Sequence, residues 1–312
     1  MEYNFRDKNY KVSKFKTFLT NELKKQEIET VYQFLLEFIQ SNDFEYKDML
    51  SILSRYIDYS HKFNVIEVKI YEFVNYNLEK YADKDKIENV LPTSNLIYQI
   101  SADYSLKFID ENLDKIYNNT KEKVEILLFK ADILIERKEF DKAFSLLRDC
   151  SNQSYDLYIF DSLELKRTIY EKMAIIGELE KKSDVAINYY IYYSAFQASL
   201  EFLHFPYLNT YRNFRIPYSI IENPNDEIIS LGHHLDNRNL NINEFNSFLQ
   251  EIYKVEIPRA FKLENLDIDT FSVSDSPIKE LTYYSNYVMN LNVQELVSTI
   301  EFIVAQKIKN FR

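Results

Sequence analysis

Glycine occurs at only two positions in 312 residues, Gly177 and Gly232, where average usage near 7% would give roughly 22. Tight β-hairpins, left-handed turns and phosphate-cradling loops depend on glycine because it alone takes positive φ at little cost. A chain so poor in it is not expected to build a large β-sheet fold. The two glycines also lie far apart in the chain. The dinucleotide-binding, P-loop and nucleophile-elbow signatures, each of which needs two or more glycines close together, are therefore excluded.

What remains is helix. Hydrophobic residues make up 46% and charged residues 28% of the chain, enough apolar content for a folded core. That content is carried by 26 Tyr and 23 Phe with no Trp, and aromatics bury large areas even in a thin layered fold. Cys150 is the only cysteine, so an intrachain disulfide or a multi-thiolate zinc site is ruled out, and it reads as a small buried hydrophobe. Met1–Tyr10 is polar and charged, without the apolar centre of a signal peptide. No uninterrupted apolar run reaches the ~18 residues of a transmembrane candidate, and a soluble, cytoplasmic protein is expected.

The net charge is −11. Residues 1–25 carry seven bases against Glu2, Asp7 and Glu22, a net of +4, which leaves −15 for the rest. An acidic chain is poorly suited to general nucleic-acid binding. Residues 1–15 read as a basic, solvated N-terminal arm, the sharper alternative being a docking segment for an acidic surface.

Between positions 11 and 205 the only proline is Pro92, whereas Pro206, Pro217, Pro224, Pro258 and Pro277 all follow. This shift places an organisational boundary near Phe205, dividing a helical-pair region, 16–205, from a mainly helical C-terminal region, 206–312. Val124, Leu127, Leu128, Ala131, Leu134 and Ile135 follow helical spacing, preceded by Asn119 and Glu122 as cap and capping partner. A second helix follows from about Phe140 to Cys150. Similar pairings are expected around 30–57 and at 64–82 with 94–117. Later helices are signalled by Asn241 and Glu244, by Asn292 and Glu295 ahead of Leu296, Ile300, Ile303, Val304 and Ile308, and by Ser276–Pro277. The alternation at Phe271 and Val273 admits a short hairpin within 255–275.

Two segments align at a fixed offset, with Leu127 matched to Tyr170. Leu127, Ala131, Leu134, Phe140, Ala143, Leu147 and Cys150 share their spacing with Tyr170, Ala174, Gly177, Ser183, Ala186, Tyr190 and Tyr193. Alanines at 131, 143, 174 and 186 suit a close crossing of two antiparallel helices, and the larger neighbours fill the space to the next pair. The pattern, clearest in Ala131-Asp-Ile-Leu-Ile-Glu-Arg-Lys-Glu-Phe140-Asp-Lys-Ala143, resembles the tetratricopeptide repeat. The likeness is clear over 120–200 and looser across the rest of 16–205. It departs from the family in having Leu127 or Tyr170 for the usual Trp and Tyr155 or Ala198 for the terminal Pro. Its unit is also longer than the family's, which is about 34 residues. The resemblance implies an all-α solenoid of stacked antiparallel helix pairs with a helical C-terminal extension, acting as a protein- or peptide-binding scaffold with no cofactor.

In that family the first helix of each pair lines a concave groove. The matching acids here are Glu125, Asp132, Glu136, Glu171 and Glu178, beside Leu128, Ile135, Thr168 and Ile175. Such a wall would attract a basic or amino-terminal peptide, although carboxylates of this kind are more often an ordinary solvated face. Tyr189 and Tyr192 point away from the repeat's core positions and offer either an interaction patch or a packing contact. A homodimer through the C-terminal helices is left open.

Two enzymatic alternatives have weaker support. Glu201-Phe-Leu-His204 has the Glu-x-x-His spacing of carboxylate-bridged metal sites, with Asp58 and His61 only a loose second copy. Arg55 and His61, with five residues between them, faintly resemble the Arg–His signature of HEPN-class helical ribonucleases, which implies RNA cleavage at a dimer cleft. Tyr56 stands where that family has a polar residue. His233–His234 and Asp267-Ile-Asp269 read as helix-end or loop positions.

Overall fold

A computed structural model describes residues 12–22, 28–41, 46–60, 90–113, 120–153, 157–204, 247–249, 251–252, 256, 260 and 292–310. Every regular element among them is helical, and no strand occurs. The helices divide between two compact units, Met1–Ile126 and Leu127–Arg312.

The first unit holds α1 (Val12–Glu22), α2 (Ile28–Ser41), α3 (Tyr46–Ser60), α4 (Val90–Tyr98) and α5 (Ala102–Leu113). Val31, Leu35, Phe38 and Ile39 on α2 fall at i, i+4, i+7 and i+8, and Met49, Ile52, Leu53, Tyr56 and Ile57 on α3 repeat the pattern. All are buried in one cluster with Phe15 and Leu19 of α1. Phe15 stacks on Phe38 with ring centroids 3.5 Å apart, a contact worth about 1 kcal/mol beyond its area. Residues 12–15 therefore belong to the first helix rather than to a solvated arm, because Phe15 has an apolar partner to bury against. Pro92 sits in the first turn of α4, where its missing N–H breaks no helical bond. The buried Ser105 hydroxyl of α5 donates to the Ser94 carbonyl of α4 at 2.9 Å.

The division between units falls within α6 (Thr120–Glu136). The second unit continues with α7 (Phe140–Gln153), α8 (Ile159–Leu179), α9 (Ser183–His204) and α10 (Val293–Asn310). Here α7 packs on α8, α8 most extensively on α9, and α10 on both α8 and α9. The described residues of α9 and α10, on either side of position 205, fall in the same unit. The apolar stripe of α10 explains why: Leu296, Val297, Ile300, Val304 and Ile308 are buried. That helix is capped by Asn292, whose Oδ1 accepts from the Glu295 N–H at 3.0 Å. Glu295 in its first turn and Lys307 and Lys309 in its last complement the helix dipole.

Ala131, Ala143, Ala174 and Ala186 are all fully buried. The tight passage between α8 and α9 lies at Gly177, one turn nearer the loop than Ala174. A Cβ placed on Gly177 would meet the Ala186 backbone N at 2.6 Å and its Cα at 3.0 Å. Both obstacles are main-chain atoms that cannot swing aside. The segments 64–82, 241–246 and 261–291, with the expected helix starts and short hairpin there, lie outside the described residues.

Candidate functional site

The hairpins α6–α7 and α8–α9 turn by the same hydrogen-bond pattern, at the offset that aligns Leu127 with Tyr170. Glu139 N–H donates to the Leu134 carbonyl at 2.8 Å and Lys138 N–H to Ile135 at 2.9 Å. In the second hairpin Lys182 donates to Gly177 at 2.8 Å and Lys181 to Glu178 at 2.9 Å. Lys138 and Lys181 have φ of 61° and 59°. This is the Schellman ending of a helix, whose left-handed position is most often glycine. A lysine fills it twice, as a chain with so few glycines requires. The residue that closes each turn also opens the next helix, since the Glu139 carbonyl accepts from Ala143 N–H and the Lys182 carbonyl from Ala186 N–H. The turns carry short ion pairs of opposite polarity, Arg137 with Glu139 at 2.8 Å and Lys182 with Glu180 at 2.8 Å, and Glu139 also pairs with Lys142 at 2.6 Å.

The acidic residues expected to line a groove have different fates on these helices. Asp132 is paired with Lys172 of α8, so its charge is balanced by a neighbouring helix. Glu178 is 1% exposed rather than solvated. Burial raises its pKa to about 7, with Tyr190 of α9 pulling the other way. Glu171 is half-buried and Glu136 is exposed. Glu125 is half-buried and precedes the division between units.

Tyr189 and Tyr192 are half-buried and pack against neighbouring rings. Tyr170 of α8 stacks on Tyr192 at 4.8 Å and on Tyr189 at 6.0 Å, and Tyr189 meets the edge of Phe144 of α7 at 5.5 Å. The cluster ties three helices together. Burial raises the Tyr192 hydroxyl to about 12.

Next to the cluster lies an ionic contact that helical periodicity alone does not suggest. Lys166 of α8 is 1% exposed, and its Nζ donates to Ser151 Oγ of α7 at 2.7 Å and to Glu301 Oε1 of α10 at 2.7 Å. The Tyr170 hydroxyl donates to the same carboxylate oxygen at 2.5 Å. Lys166 and Tyr170 are four apart and so share one helix face. Burial lowers the lysine's pKa and Glu301 opposes the shift, while burial raises that of Tyr170. With Lys166 sealed from solvent no substrate can reach it, so the contact fastens α10 to α7 and α8. The one local signal is a lysine on the apolar stripe of Leu163, Ile169, Tyr170 and Met173; its acid lies 135 residues away.

Cys150 is buried, and burial raises its thiol to about 12, which suits an inert core residue. Glu201 and His204 fall on the last turn of α9, with their side chains outside the described residues. Among the described residues no group of three or more His, Cys, Asp or Glu could hold a metal, and no helix is long and apolar enough to cross a membrane. Arg55 lies exposed on α3 with its Nε donating to Thr20 Oγ1 of α1 at 3.3 Å, and His61 lies outside the described residues.

Against known proteins, the chain matches no family model, no curated sequence and no solved structure.

Proposed function

We propose that the second unit is a helical-repeat binding module of tetratricopeptide type, which holds a basic peptide or a free amino terminus on the first-helix face of its hairpins. The observation that carries this reading is the recurrence, at one fixed offset, of one turn, one pair of left-handed lysines and one set of buried alanines. Repeated hairpins stack because a single hairpin cannot bury both faces, and stacking lines up their first helices as one continuous wall.

Glu136, exposed, and Glu171, half-buried, are two carboxylates of that wall that solvent reaches, whereas Asp132 pairs with Lys172 and Glu178 is buried. Solvent-accessible carboxylates steer and select cationic partners more than they add raw affinity.

A fluorescein-labelled ten-residue Lys/Arg-rich peptide with a free amino terminus is the probe, and its acidic counterpart the control. Binding by fluorescence anisotropy is expected for the basic peptide, weakening about tenfold or more in the Glu136→Lys/Glu171→Lys variant and steeply with salt. A folded variant that binds the peptide as well as the parent would remove the groove assignment. Asp132→Lys is the wrong choice because it would also repel Lys172.

A further inference from the structure

Outside the repeat, α1 and α3 lie side by side over the first unit's core and enclose an open recess of about 600 Å³. Its lining is chemically one-sided. Lys16, Thr17 and Thr20 come from α1, and Ser51, Ser54 and Arg55 from α3. Two cationic side chains and four hydroxyls face it, and no carboxylate is among its described lining residues.

The placement follows from helix geometry. Lys16 and Thr20 are four apart, as are Ser51 and Arg55, so each helix offers one cation and one hydroxyl on the face turned to its neighbour. That face is held in register by Phe15, Leu19, Ile52 and Tyr56, all buried beneath it. The polar groups are also pre-arranged. Lys16 Nζ bonds Ser51 Oγ across the helices. The Thr20 hydroxyl donates to the Lys16 carbonyl at 2.9 Å and accepts from Arg55 Nε at 3.3 Å. An ammonium, a guanidinium fork and adjacent hydroxyls make up a donor set matched to a tetrahedral oxyanion.

We propose that this recess is a binding site for the phosphoryl group of a small phosphorylated molecule. The volume exceeds what a bare phosphate needs, leaving room for the group that carries it. Arg55 and Lys16 grip the oxygens, and the Ser51 and Ser54 hydroxyls complete the hydrogen bonding.

The test is calorimetric titration of the full chain with pyrophosphate, with AMP and with adenosine. Saturable binding of pyrophosphate and AMP is expected, with none of adenosine. Arg55→Gln and Lys16→Gln should each weaken it about tenfold or more, with helical circular dichroism retained. Arg55→Lys, which keeps the charge and loses the fork, should fall between. If either Gln variant unfolds, amide shift changes in the parent protein decide the site. Changes at Lys16, Thr20, Ser51 and Arg55 on adding pyrophosphate support it, and changes confined elsewhere overturn it. No binding up to about 10 mM, undiminished binding in a folded Gln variant, or binding of an oligoribonucleotide alone would each refute the proposal.

Discussion

Hairpin α6–α7 leaves its first helix through Leu134, Lys138 and Glu139, and hairpin α8–α9 does so through Gly177, Lys181 and Lys182. The hydrogen bonds and the left-handed lysine are shared, yet the position that holds leucine in one holds glycine in the other. At Gly177 the α9 backbone passes too close for any side chain. The second hairpin is also the one covered by α10, through Lys166, Tyr170 and Glu301. A shared turn therefore fixes how the chain reverses, while crossing residues and the neighbouring layer fix how tightly each pair is held.

Transplanting the first hairpin's residue is the most severe way to break this comparison. Gly177→Leu should cost about 3 kcal/mol or more, since its obstacles are main chain, and should lower the denaturant midpoint sharply. Even Gly177→Ala, which gains about 1 kcal/mol in helix propensity, should be net destabilising.

Next comes the contact with α10. Glu301→Ala leaves the buried Lys166 ammonium without its carboxylate and should cost on the order of 2–3 kcal/mol, whereas Lys166→Met leaves Glu301, which is 22% exposed and still bonded by Tyr170, and should cost less. Equal losses in the two variants, measured by urea unfolding, would mean that packing of α10 and not charge compensation holds it.

Glu178 sharpens the comparison through pH. Its folded pKa, about 7, lies above the ordinary carboxylate value, so the folded state holds the extra proton between the two. The stability it contributes is in full force below about pH 4.5 and is lost as pH rises to about 7. Glu178→Gln should remove that slope and raise stability at about pH 8 by on the order of 2 kcal/mol. An unchanged slope in thermal melts across this range would show that the carboxylate is solvated. The first hairpin offers no such group, since Ile135 stands at the matching position.

The smallest effects should be equal in the two hairpins. Lys138→Gly and Lys181→Gly each relieve a left-handed backbone and should each stabilise by about 0.5–1 kcal/mol, additively. Stabilisation at only one site, seen in melting temperatures, would show that the turns differ.

Much of this architecture was legible in the sequence because it rests on spacing. The alanines at 131, 143, 174 and 186, singled out by their spacing, are all buried. The Asn292–Glu295 cap was readable for the same reason, being local and side-chain encoded. The left-handed conformation of Lys138 and Lys181 was not, since lysine carries no preference for that region. Asp132 and Glu178 lie on the helix face that the repeat pattern assigned to a groove, but a pattern within one helix does not reveal Lys172 or Tyr190 on the next. Lys166 and Glu301 meet only after 135 residues of chain are folded. The recess at Lys16 and Arg55 depends on two helices 35 residues apart lying side by side, a juxtaposition without a linear signature.

The backbone conformation of Lys138 and Lys181 in solution tests the repeat most directly. NMR dihedral restraints should give positive, left-handed φ at both, with the Glu139 and Lys182 amides slow to exchange because each is held by a carbonyl five residues earlier. Negative φ at either lysine, or fast exchange at one of the two amides, would mean that the hairpins are not copies of one unit.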